Sequence, residues 1–145
     1  VREALRGGWL GGRLRQAVHP LMFATLAAIA VGAVLGAWAR YGLALAMNGR
    51  SWLPWGTFVA NAVGGFLIGL ALAHLAAKPD LSPLWRLFVV TGFLGALTTF
   101  SSFSAEVIVL VQEGDVGRAV ALAAMHLVAS LALTALGFTV YRQFA

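Results

Sequence analysis

The sequence predicts an all-α integral membrane protein of four transmembrane helices, the third broken near its middle, assembling as an antiparallel dual-topology homodimer. Three observations lead there. First, 61% of the 145 residues are hydrophobic and 10% are charged, too apolar a balance for a soluble domain; at about 20 residues per crossing the chain makes four spans. Second, the third apolar stretch contains a crowd of hydroxyls: Thr91, Thr98, Thr99, Ser101, Ser102 and Ser104. Third, outside the N-terminal tail, Lys and Arg divide evenly between the two sides of the membrane. No loop exceeds about ten residues, and no soluble domain or internal repeat is visible.

The charges also exclude some functions. The net +5 does not indicate a nucleic-acid partner, because Arg2, Arg6, Arg13, Arg15 and Arg50 all lie in the tail or first loop with no aromatic-basic surface around them. The absence of cysteine rules out disulfides, thiolate metal sites and cysteine nucleophiles.

Residues 1–20 read as a basic, flexible N-terminal tail, since Gly7, Gly8, Gly11 and Gly12 weaken any helix there. Basic residues ahead of an apolar run with Ala28, Ile29 and Ala30 also fit a secretory signal, but the apolar run continues past that point. The membrane domain occupies 21–145. Span one, about 21–45, carries Gly32 and Gly36 at the spacing that lets helices approach closely. Arg40, near its end, either snorkels to the interface or draws an anion into a vestibule. A turn over residues 48–54 follows, with Trp52 and Trp55 as interfacial anchors.

Span two, about 57–77, sets Thr57, Asn61, Gly65 and Gly69 along one stripe. Asn61 is the only amide in a span, and serves either as glue between helices or as an N–H donor to a pore. His74 reads as an interface residue. Span three, about 84–112, holds the stretch TGFLGALTTFSSFSAE (91–106). Hydroxyls are costly in hydrocarbon unless bonded, and Ser and Thr compete with the helix ladder for backbone groups. The helix is therefore expected to open near Ala96 to Phe100. Bare backbone at that depth is tolerated only inside protein or along a watery path, and such breaks bind ions. Span four, about 119–141, places Leu122, His126, Ser130 and Thr134 four apart on one face, which must look onto protein or a path.

Setting the tail aside, Lys78, Arg86 and Arg142 fall on one side and Arg40, Arg50 and Arg118 on the other. Orientation follows this count, so the core has almost no preferred direction. Two opposed copies can then pair across an axis in the membrane plane. Pairing brings together two copies of the break, whose carbonyls suit a buried cation that wants hard oxygen ligands.

The segments GAVLGAWARY (32–41), WGTFVANAVGGFLIG (55–69) and GFLGALTTFSSFSAE (92–106) resemble, in order and spacing, those of the CrcB/Fluc fluoride channels of bacterial inner membranes. The resemblance covers about residues 28–141. It implies a dual-topology homodimer in the lipid bilayer with two fluoride pores and one structural sodium ion at the central axis, held by main-chain oxygens of Gly95 and Thr98. It further implies that Phe100 and Phe103 line the pores and that Asn61 faces them. Thr99, Ser104, Ser130 and Thr134 complete the fluoride pathway on this reading, while Arg40 and Glu106 match family positions of less settled role. His126 and Leu122 depart from the pattern, which has Ser and Tyr there.

Fluoride is small and strongly hydrated, so a pore must replace its water with donors: Asn61 N–H, hydroxyls and freed backbone amides. Phe ring edges carry positive quadrupole and hold an anion without a fixed cation that would trap it. The expected function is passive export of cytoplasmic fluoride. A small multidrug-type, proton-coupled cation antiporter is the nearest alternative, with Glu106 as its only embedded acid. No enzyme is expected, because His19, His74 and His126 are scattered and no catalytic set converges.

Overall fold

The computed structural model describes residues 8–49 and 51–145, with side chains from Leu21 onward. Helix α1 covers Gly8–Met47, α2 Trp55–Ala77, α3 Pro83–Arg86, α4 Gly95–Leu97, α5 Phe100–Gln112 and α6 Val116–Phe144. A π-helical segment, Leu87–Leu94, joins α3 to α4. Four stretches are long and apolar enough to cross a membrane: Leu21–Met47, Trp55–Ala77, Pro83–Gln112 and Val116–Phe144. The fold is all-helical and multi-pass.

The first helix starts earlier than the composition of the tail suggests. Residues 8–20, read from sequence as part of a tail, continue α1. Once a span has nucleated, each further residue adds a hydrogen bond without repeating the nucleation cost, and Arg, Leu and Gln are good helix formers. Residues 1–7 and Arg50 lie outside the described residues, as does the part of the tail and of the first turn that they make up.

Short turns connect the spans. After α1, Gly49 takes φ +82°, a left-handed value that costs glycine nothing. Asn48 Oδ1 accepts the Gly56 N–H at 2.7 Å. It thereby caps α2, whose own N-cap residue Pro54 has no side-chain bond to give. Ser82 caps α3 with Pro83 in the first turn. Gly114 at φ +82° and the N-cap Asp115 begin α6, and Asp115 also pairs with Arg118 at 3.1 Å. The Arg118 guanidinium lies 5.9 Å over the Trp52 ring, tying the third turn to the first.

Glycines set the close crossings. A Cβ on Gly32 or Gly36 would strike the backbone of Phe88 or Phe93, and one on Gly92 would meet Ile29 O and Gly32 Cα. So α1 and the π-helical segment touch backbone to backbone, where a larger residue on either side would force them apart. The second crossing joins α2 to α6. Gly69 faces the Thr134 carbonyl, and Gly137 faces Phe66 O and Gly69 Cα. Between the two pairs sits a small core of Ala60, Leu94 and Leu97, none more than 4% exposed.

Candidate functional site

The third crossing leaves helical geometry at two residues. Thr98 has φ −81° and ψ 154°, and Thr99 has φ −151° and ψ 118°, both extended. Each nonetheless has local partners. The Thr98 N–H and hydroxyl both donate to Leu94 O, at 3.1 and 2.9 Å. Thr99 Oγ1 accepts the Ser102 N–H at 3.1 Å, an N-cap that starts α5.

What secures the extended peptide is a side chain from another helix. Asn61 Oδ1 accepts the Thr99 N–H at 2.7 Å, and Asn61 Nδ2 donates to Thr99 O at 3.0 Å. The amide thus pairs Thr99 as a neighbouring strand would. Its second amide proton points to His126 Nδ1 at 3.2 Å. Of the two sequence readings for Asn61, the geometry realises the helix-to-helix contact, and both of its N–H groups are engaged. Arg40 Nε donates to Ala96 O at 3.0 Å, so the guanidinium ties α1 to the last turn before the interruption.

Asn61, Thr98, Thr99, Phe100, Phe103, His126 and Ser130 line one cleft of about 330 Å³. Gly64 belongs to it as well: a Cβ there would run into Thr98 Cγ2. The rings along it are ordered. Phe100 and Phe103 meet edge to face at 5.5 Å, and Phe103 stacks on His126 at 4.6 Å. Phe58 also meets His126 edge to face, at 5.3 Å. Phe100 is 80% exposed, whereas Phe103 is half-buried.

Other residues picked from the sequence lie outside the cleft. Thr134 and Ser104 donate back to Ser130 O and Phe100 O, both at 2.8 Å, so their protons serve their own helices. Glu106 accepts from the Thr57 hydroxyl at 2.6 Å, and its second oxygen is buried without a partner among the described residues. It borders a separate recess with Ser51, Trp52, Glu113 and Arg118. His74 Nδ1 meets Tyr141 OH at 3.1 Å at the opposite end of the molecule. Sequence reasoning does not pick out Thr57, Phe58 or Gly64 as site residues; the available signals are the stripe that Thr57 shares with Asn61 and the Gly64–Gly65 doublet, since two successive glycines serve two different faces.

A family model described as CrcB-like protein, Camphor Resistance (CrcB), matches residues 27–138. The fluoride-specific ion channel FluC of Pseudomonas syringae pv. maculicola is 52% identical over 123 residues, covering 84% of this chain and 97% of that protein. The channel of the same name from Variovorax paradoxus (strain S110) is 55% identical over 116 residues, covering 80% and 93%.

Proposed function

We infer from one premise, that this chain belongs to the CrcB family, that it is a fluoride-specific ion channel and not an enzyme. The observation that carries the reading to particular residues is the interruption at Thr98–Thr99, lying in a cleft beside two phenylalanines. Backbone out of helix at mid-span is tolerated where it lines a route. Fluoride passes between Phe100 and Phe103 on their positive ring edges and is handed along by the Asn61 amide and the Ser130 hydroxyl. Asn61 meets the ion by exchanging one of its present acceptors for it. The N-terminal end of α5, which opens at Phe100, adds a favourable partial charge. Transport is passive, exporting fluoride that has accumulated in the cytoplasm.

The working unit on this reading is an antiparallel homodimer in a bacterial inner membrane. The exposed Phe100 ring and the exposed face at Gly95 are what a second protomer would cover. A structural sodium ion belongs at the axis between them, on the main-chain oxygens of Gly95 and Thr98. Their surroundings fit: a continuing helix would send the N–H groups of Thr99 and Ser102 to these carbonyls, but those donors go to Asn61 Oδ1 and Thr99 Oγ1. Neither carbonyl has its usual partner, and a carbonyl oxygen suits a hard cation. The ion would brace the two interruptions against each other without being transported.

The test is fluoride efflux from proteoliposomes, read with a fluoride-selective electrode, with chloride and a hydrophobic drug cation as controls. Wild-type protein is expected to release fluoride and retain both controls. Phe100→Ile and Asn61→Ala should slow release by about tenfold or more, roughly 1.4 kcal/mol on the barrier. Equal chloride flux, or unchanged rates in both variants, would remove this pathway; coupled drug-cation exchange would favour the antiporter.

A further inference from the structure

A larger hollow, of about 700 Å³, lies between α2, the π-helical segment and the end of α6, and shares no residue with the cleft described above. Leu67, Leu70, Leu75, Trp85, Val89 and Phe93 make its walls. Apart from the Trp85 indole, its polar side chains are His74 and Tyr141, which meet at 3.1 Å near the ends of α2 and α6. Leu94 closes the other end, four residues short of the interruption at Thr98. From Leu67 to Leu75 the wall covers about 12 Å at 1.5 Å per residue, close to the roughly 15 Å of hydrocarbon in one leaflet. The groove therefore has the reach of a single acyl chain.

Its polar end has both a proton and charge to offer. A neutral imidazole and a phenol bring one proton each; their mutual contact uses one, so the other is free to donate. Lys78 lies one turn beyond His74, Arg86 follows Trp85, and Arg142 follows Tyr141, and all three are exposed. None of them forms an ion pair among the described residues, and Asp80 is the only acid described at that end. The opposite end of the molecule is balanced: Arg118 pairs with Asp115 and shares a recess with Glu113. Val89 and Phe93 face the groove, whereas Thr91 and Gly95, each two residues on, are exposed on another side of the segment. The face proposed above for a second protomer is thus not this one.

We propose that this groove seats one anionic phospholipid of the surrounding bilayer, with an acyl chain between Leu67 and Phe93 and the phosphate at the basic end. The phosphate accepts the free proton of the His74–Tyr141 pair. Lys78, Arg86 and Arg142 select the charged headgroup, because each cation at the membrane surface adds attraction to an anionic lipid. A zwitterionic lipid fits the walls equally well and gains little from the rim. This lipid seat is separate from the ion route and stands whether or not fluoride is conducted.

The chain has no cysteine, so Val89→Cys can carry a single bimane fluorophore on the groove wall. In liposomes, phosphatidylglycerol with brominated chains should quench it at about one-fifth or less of the mole fraction that brominated phosphatidylcholine requires. Lys78→Gln, Arg86→Gln and Arg142→Gln together should erase that difference. Equal quenching by the two lipids with the basic rim intact means ordinary solvating lipid and overturns the proposal. Quenching by neither means that protein, such as a second copy, covers the groove, and overturns it as well. Unlabelled wild-type protein gives an independent check. Offered an equimolar mixture of both lipids in detergent, it should retain one phosphatidylglycerol per protomer in native mass spectrometry, and the triple variant should lose it. A wild type that retains neither lipid, or a triple variant that retains as much phosphatidylglycerol, overturns the seat.

Discussion

At the residue scale, one amide does most of the positioning. Asn61 supplies both partners of the Thr99 peptide and orients His126. Replacing it with Leu bares an N–H and a C=O together, and each buried unsatisfied group costs about 1–3 kcal/mol. The midpoint of thermal unfolding in detergent should drop accordingly for Asn61→Leu, and also for Asn61→Asp, whose carboxylate lacks the donor. Thr57→Val should likewise lower it, at a cost in stability of about 1–3 kcal/mol, because the Glu106 oxygen loses its 2.6 Å donor. Thr57→Ser should not. The sequence marked Asn61 as unusual, since a lone amide in a span needs a partner. The partner itself was not legible, because it is main chain 38 positions away and main chain has no residue signature. The same holds for Arg40, whose acceptor is the Ala96 carbonyl.

At the element scale, the glycines were half legible. The four-residue spacing of Gly32 and Gly36 announced a close crossing, but a spacing names one side only, and Gly92 on the facing segment carries no pattern of its own. Sterics make the point testable. A Val at Gly69 puts Cβ against the Thr134 carbonyl and should destabilise by about 1–3 kcal/mol, loosening α2 from α6. Among the described residues nothing lies within 4 Å of a Cβ placed on Gly42, so Gly42→Ala should be neutral or add up to about 1 kcal/mol through helix propensity. Chemical or thermal unfolding of the two variants side by side checks both. The π-helical segment Leu87–Leu94 was not foreseen. Its altered periodicity spans eight residues that are nearly all apolar, so no polar face exists to reveal the change of pitch.

At the scale of the whole molecule, composition and the four apolar runs were enough for an all-helical, multi-pass protein, because hydrocarbon permits few other ways to satisfy a backbone. Neighbouring spans joined by short turns run antiparallel, so α2 and α6 run in parallel and meet along Gly65, Gly69 and Gly137. The proposed dual topology yields its own prediction. Adding three Lys at the C-terminus should force one orientation on every copy and abolish fluoride efflux from cells. Co-expression with a partner biased the opposite way should restore it. Full activity of the single-orientation protein would contradict the antiparallel pair.

Because the Asn61 amide grips peptide atoms rather than a side chain, the two ends of that contact face unequal mutational pressure. Position 99 can drift among any residues able to cap α5, such as Ser or Asp, since every amino acid but proline brings the same N–H and C=O. Position 61 has no such latitude: among side chains of that length, only one offers a donor and an acceptor side by side. A saturation library selected for survival in fluoride should therefore return a spread of letters at 99 and a single one at 61.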